Sequence, residues 1–267
     1  MRWGQDDQMI EQVIKKIEES DLVLVGIGEE LDDLGRIEKE EYYQKNALKL
    51  EHSENVWMLP FLKKTMAEGR EEETVRIYES LASRLASRNY FIVSLCQDGL
   101  LEKSSIDKEH IVSPCGNYAK LQCSKKCCTE LYPIPEGLID RIQSFFQNEQ
   151  EGSKPKEPLC PRCGSPLTFN NVDAPDYAEE GYLEGWNRYK KWLQGTVNKN
   201  LCILELGVGM KYPTVVRWPF EKVAFFNQKA ELFRVHEKLY QVPEEISGRA
   251  YGICQNPQEF LMELYLK

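Results

Sequence analysis

Apolar residues recur along this chain in two rhythms, a three-and-four spacing and short unbroken runs, and together these lay out alternating helices and strands. Met9, Ile10, Val13, Ile14 and Ile17 fall on one face of a helix that Asp6 or Asp7 is placed to cap. Leu22 to Val25 is an apolar run leading into Gly26 and Gly28, the pattern of a strand buried on both faces. Charge-rich helical stretches follow over about residues 38–52 and 72–88, the second with Val75, Tyr78, Leu81, Ala82 and Leu85 on one side. Tyr90 to Leu95 and Leu201 to Leu206 are further buried strands, and Ile111 to Ser113 and Leu232 to Val235 weaker ones. Tyr182, Trp186, Tyr189, Trp192 and Leu193 build a helix whose aromatic face is expected to cover the sheet, and Pro257 to Tyr265 a terminal helix. Residues 149–158, with Gly152, Ser153, Pro155 and Pro158, read as an exposed loop. Strands alternating with helices predict an α/β fold with a Rossmann-like, mostly parallel sheet and its working loops at the strand carboxyl ends.

The chain has 267 residues and 42% hydrophobic content, enough for a large core with a satellite. It has no apolar run long enough to span a bilayer. Its first twenty residues carry Asp6, Asp7, Glu11, Lys15, Lys16 and Glu18 rather than a secretory segment, so the expectation is a soluble, cytoplasmic protein. A formal net charge of -9 argues against nucleic acid as partner, since a grip on its backbone calls for concentrated positive charge, and no membrane partner is expected.

Nine cysteines, an odd number without an export signal, argue against a disulfide framework. Cys123-x3-Cys127 and Cys160-x2-Cys163 instead form two close pairs, and each pair lets two thiolates converge on one tetrahedral ion. Gly164 permits the tight turn such a knuckle needs, and Cys128 is an alternative to Cys127 as ligand. A closed four-thiolate set leaves no coordination site for water, so the expected metal is one structural Zn2+. The proposed division is residues 1–117 and 173–267 as the two parts of the Rossmann-like domain, with residues 118–172 as an inserted zinc-ribbon module.

Gly26-Ile27-Gly28 after a strand resembles part of a phosphate-binding turn, although glycines also make ordinary turns. Glu29 and Glu30 follow at once. Two carboxylates there repel a pyrophosphate unless they are rotated away, protonated or paired with a cation.

The ordered series of Asp21 to Gly28, Tyr90 to Asp98, Cys115 to Tyr118, the two cysteine pairs, Glu205 to Gly209, Tyr212-Pro213 and Trp218 to Phe220 resembles the sirtuin (Sir2-like) family over nearly the whole chain. Its pattern is nearest to the branch of macrodomain-linked bacterial sirtuins with protein ADP-ribosyltransferase activity. The resemblance implies an NAD-binding Rossmann-like domain, a smaller zinc-ribbon domain, and chemistry on an acyl-peptide or ADP-ribose in the cleft between them. It assigns Gly26, Gly28, Gly207, Gly209 and His236 to cofactor binding, and Cys96, Asp98 and Cys115 to the catalytic positions.

Several of those positions depart from the family pattern. Cys96 stands where sirtuins place an Asn, Cys115 where they place the catalytic His before Gly, and His236 where a strand-ending Asn is usual; Asp98 retains the acid. A thiol is a weaker hydrogen-bond partner than an Asn amide and a poorer base near neutrality than an imidazole. The resulting reading is a degenerate sirtuin-like zinc protein without ordinary NAD-dependent deacylase activity. It acts as a ligand-binding or interaction protein toward NAD, ADP-ribose or another nucleotide-like ligand and a protein partner or acceptor. The alternative is an NAD-dependent protein ADP-ribosyltransferase with a non-standard active site. Cys96 and Cys115 both face the cleft by resemblance, which admits a redox bond, a second metal site, covalent chemistry, or two inert buried thiols. His52 and His110 are expected to be surface or structural residues. Lys211, in the Met210 to Pro213 turn, is either an anion contact or a solvated lysine.

Overall fold

The computed structural model describes residues 3–147 and 154–267. Helix α1 spans Trp3–Glu19, so Asp6 and Asp7 lie within it and not ahead of it, and strand β1 follows at Leu22–Ile27. Helices α2 (Leu34–Ile37), α3 (Glu41–Leu50), α4 (Leu59–Glu68) and α5 (Glu71–Leu85) separate β1 from β2 (Tyr90–Ser94) and β3 (Ile111–Val112). Strands β4 (Gly116–Cys123) and β5 (Tyr132–Pro133), helix α6 (Leu138–Gln147) and strand β6 (Leu167–Asn171) come next. The chain ends on α7 (Leu183–Gln194), β7 (Leu201–Leu206), α8 (Arg217–Phe226), β8 (Ala230–Val235), β9 (Ala250–Ile253) and α9 (Pro257–Leu266). Asn256 caps α9 by accepting the Gln258 and Glu259 N–H groups, with Pro257 pre-set in its first turn. Of residues 149–158, those from 154 onward are irregular as expected, and 149–153 lie outside the described residues.

The main sheet has six strands in the order β3-β2-β1-β7-β8-β9, and every pairing is parallel. The chain builds outward from β1 to one edge, then returns to β7 and builds to the other. The order therefore reverses between β1 and β7, where a doubly wound sheet opens its crevice. Successive residues feed opposite faces. Val23, Val25 and Ile27 join Val13, Tyr78, Leu81, Phe260 and Leu264 under α1, α5 and α9. Leu22, Leu24, Phe91 and Val93 join Tyr189 and Phe220 under α7 and α8. Each fully buried large apolar side chain contributes about 1.5–3 kcal/mol, so burial on both faces selects the unbroken apolar runs seen in these strands. The aromatic face of α7 does cover the sheet: the Phe91 and Tyr189 rings lie 5.4 Å apart, and Trp186 and Trp192 pack alongside.

A second, antiparallel sheet of order β5-β4-β6 forms the small lobe. Its core draws Tyr118, Leu121, Ile142 and Phe169 together with Leu34, Ile37, Met58 and Phe61. Helices α2 and α4 therefore pack with the cysteine-bearing segment even though β2 and β3 intervene in the chain. Both stretches leave from carboxyl ends of main-sheet strands, which sets the small lobe beside the crevice. Among the described residues no helix is long and apolar enough to cross a membrane.

Candidate functional site

The Cys123, Cys127, Cys160 and Cys163 sulfurs lie within 4.8 Å of one another, with Cys123 to Cys163 at 3.5 Å and Cys127 to Cys160 at 3.6 Å. Thiolates about 2.3 Å from a tetrahedral ion stand roughly 3.8 Å apart, so this quartet is positioned to bind a metal. Cys123 arrives at the end of β4, and the other pair sits on a turn closed by Gly164 N–H to Cys160 O at 2.9 Å. Gly164 adopts φ +71°, a left-handed conformation that glycine takes without strain. Hydrogen bonds from the Ser165 hydroxyl and amide lower the Cys163 pKa to about 6, favouring the ligating thiolate. Cys128 points instead to the Tyr132 hydroxyl at 3.3 Å and stands outside the quartet. Among the described residues this is the one cluster of three or more Cys, His, Asp or Glu placed to share an ion.

At the switch point the two glycine loops pack backbone to backbone. Gly28 N–H donates to Leu206 O at 2.8 Å and Glu30 N–H to Gly207 O at 3.2 Å. A Cβ on Gly28 would lie 2.3 Å from both Gly207 O and the Val208 Cα, and one on Gly26 2.4 Å from Val216 Cγ1. The β1 loop leads into a single 3-10 turn, Glu29–Leu31, and not into an α-helix that could aim its dipole at an anion. Glu29 Oε2 accepts the Gly209 N–H at 2.8 Å, while Glu29 Oε1 is buried with no partner among the described residues. Glu30 Oε2 accepts the Glu237 N–H at 3.2 Å, and Glu30 Oε1 lies 2.9 Å from His236 Nδ1. Burial lowers the His236 pKa and raises that of Glu30. His236 Nδ1 also receives the Lys238 and Leu239 N–H groups at 3.0 and 3.1 Å, which holds the imidazole against the loop after β8.

Asp98 is buried and answers Asp32 between the loops that follow β2 and β1. Asp98 Oδ1 accepts from Leu100 N–H at 2.9 Å and Oδ2 from Asp33 N–H at 3.4 Å, while Asp32 Oδ2 accepts Gln97 N–H at 2.8 Å. Each carboxyl thus holds the other's loop. Burial, then the nearby Asp32 charge, pushes Asp98 up to about 8. Asp33 takes the Thr74 hydroxyl at 2.8 Å and pairs with Arg36. Next to this clasp, Gln97 Oε1 is buried with no partner among the described residues. Asp32, Asp33 and Gln97 were not singled out from sequence; for the two acids the signal was a doublet shortly after the glycine turn.

Cys96 and Cys115 are free, buried thiols. Cys96 packs in the core under α1, α5 and α9, where its sulfur donates to Gly28 O at 3.4 Å; Cys115 packs in the opposite core with Tyr189. Burial raises the pKa of both, Cys115 to about 12, so each stays protonated at neutral pH. Lys211 is exposed, 5.1 Å over the Tyr212 ring. His110 packs by the Tyr90 ring at 5.0 Å, and His52 is exposed.

Arg234 and Arg217 brace the β7 and β8 loops from beneath. Arg234 forks onto Glu205 at 2.6 and 3.2 Å and reaches Glu221 at 2.7 Å; Arg217 donates to Val208 O at 2.9 Å and Leu239 O at 2.6 Å. Burial works against the Arg234 charge, but the two carboxylates outweigh it and raise its pKa.

A doubly wound parallel sheet joined to a small lobe that carries a four-cysteine cluster defines the class: this chain has the sirtuin fold. It is similar to Sir2Tm bound to a propionylated peptide, with a TM-score of 0.55 at 14% identity over 96% of both chains. It is likewise similar to a Sir2–p53 peptide–NAD+ complex, with a TM-score of 0.54 at 16% identity over 96% of both chains. At these identities the likeness establishes the fold alone. Among curated proteins, the chain is 26% identical over 187 residues to the protein ADP-ribosyltransferase of Staphylococcus aureus, covering 67% of this chain and 57% of that one. It is 33% identical over 152 residues to a probable bifunctional ADP-ribose hydrolase/ADP-ribosyltransferase of Fusarium oxysporum f. sp. cubense, covering 54% of this chain and 25% of that one. The chain therefore spans well under two thirds of the length of these curated relatives. No family model matches it.

Proposed function

We propose that this chain is a degenerate sirtuin-like protein whose quartet holds one structural zinc, and which acts as a ligand-binding or interaction protein without ordinary NAD-dependent deacylation. The observation that carries the reading is the burial of the two thiols: Cys96 and Cys115 pack in the cores on opposite faces of the sheet, and burial raises the pKa of each, so neither supplies a base near neutral pH. The zinc acts as a clasp with all four positions filled by protein. Five further cysteines remain free, which suits a reducing, cytoplasmic compartment.

The second reading is NAD-dependent protein ADP-ribosyl transfer, supported by the activity named for both curated relatives and by Asp98, whose pKa of about 8 lets it exchange a proton near neutrality. An NAD consumption assay with cell extract as acceptor source separates the two. The binding reading expects no nicotinamide release above background. Stoichiometric NAD cleavage with label appearing on protein, abolished in D98N, would replace it with the transferase reading.

A further inference from the structure

The nucleotide implied by the fold would bring a pyrophosphate, rich in acceptors, to the crevice between β1 and β7, and that crevice must answer with donors. The residues present do not fit such a group. Around the β1 turn, Gly28, Glu30 and Leu31 N–H are already spent on Leu206, Gly207 and Gly28 carbonyls, and Gly207 N–H on Val235 O. On the facing loops, the Gly209 N–H is taken by Glu29 and the Glu237 N–H by Glu30. Among the described residues, the buried Glu29 Oε1 and Gln97 Oε1 have no hydrogen-bond partner, and both are acceptors. An arriving phosphate would therefore meet carboxylate oxygens where it needs N–H groups.

We infer that Glu29 and Glu30 act as built-in anions: they occupy two backbone donors of the crevice, those of Gly209 and Glu237, exclude pyrophosphate-bearing nucleotides from the native cleft, and on removal free those two donors for them. Among the described residues Glu29 makes no ion pair and is turned inward onto Gly209, while Glu30 Oε1 lies 2.9 Å from His236 Nδ1. The two side chains are thus specificity determinants that reject an anion by standing in its place. Gly28 still packs on the Gly207 and Val208 backbone when both carboxylates are gone, which keeps the two loops together.

This inference rests on reading the cleft as a binding site that does not consume NAD, and its test is separate from that reading. Titration calorimetry with ADP-ribose is run on the native chain and on Glu29→Ala/Glu30→Ala, with metal content and thermal melting reporting that each remains folded. The native chain is expected to show no saturable binding up to about millimolar ligand, and the double variant to bind at least about tenfold more tightly. Should the alanine variant fail to fold, Glu29→Gln/Glu30→Gln keeps the shape, removes the charge and is expected to gain affinity as well. Micromolar binding of ADP-ribose by the native chain overturns the inference and, with NAD left intact, leaves the binding reading standing. A folded variant with unchanged affinity also overturns it.

Discussion

Gly28 and Gly207 meet backbone to backbone, so closely that a single methyl on Gly28 would sit 2.3 Å from the Gly207 carbonyl oxygen. The glycine is thus demanded by the joining of two strand-end loops, whatever the cleft binds. Gly28→Ala is expected to lower the unfolding free energy by about 2–4 kcal/mol, because backbone cannot yield as a flexible side chain would. Gly35→Ala, where a Cβ meets nothing within 4 Å, is the control and should stay within about 1 kcal/mol. Urea unfolding of both variants checks the contrast.

The quartet should carry one zinc per chain by elemental analysis. Cys163→Ser is expected to lose it, and Cys128→Ser, whose thiol faces Tyr132, to retain it. Chelation should loosen the small lobe ahead of the main sheet, as read by hydrogen exchange on β4 and β6 against β1 and β7. Metal-free protein of unchanged stability would contradict this.

Asp98 makes stability depend on pH in a defined direction. Its pKa rises from 3.8 unfolded to about 8 folded, so the folded chain carries the extra proton across that window. Its contribution is fully present below the unfolded value and is lost as pH rises through about 8. Asp98→Asn cannot ionise. Relative to it, the native chain is expected to lose stability on the order of a few kcal/mol between about pH 5 and pH 8, measured as unfolding midpoints across that range.

The Arg234 fork is buried with Glu205, at 1% and 0% exposure. Arg234→Met leaves Glu205 uncompensated and is expected to cost about 3–5 kcal/mol. Glu221 is partly exposed, and Glu221→Gln should cost at most about 1 kcal/mol because water screens that pair. Equal losses in the two variants would mean that Glu205 is not the main partner.

The parallel strands were legible because burial on both faces leaves runs such as Leu201 to Leu206 with almost no polar residue to misread. The quartet was legible because tetrahedral coordination fixes the spacing of each cysteine pair. Where charge or amide sits inside, the pattern failed. Helix α4 was missed because Lys63, buried beside Glu38 and over the Tyr43 and Tyr118 rings at 5.9 and 5.8 Å, breaks its apolar face. Strand β4 was missed because Gln122 points inward, where it accepts from Asn170 at 2.7 Å and from Ala178 N–H at 2.9 Å. Strand β9 is short and contains Gly252, against which Tyr240 O packs so closely that a Cβ would lie 2.4 Å away. In the cleft, the sequence showed which residue types had changed but not where they turn. The grip of Glu29 on Gly209, and the exchange of loops between Asp32 and Asp98, exist only once distant strand ends are side by side.

The small lobe is assembled from two stretches of chain, and this has a consequence during synthesis. Phe61 of α4 packs against Phe169 of β6 with ring centroids 4.6 Å apart, yet about a hundred residues separate them as the chain emerges from the ribosome. Until β6 appears, the apolar face of α4 has no finished partner. The nascent chain therefore carries a helix whose apolar face is only partly covered through the making of β2, β3 and both cysteine pairs, an interval in which a chaperone has something to hold.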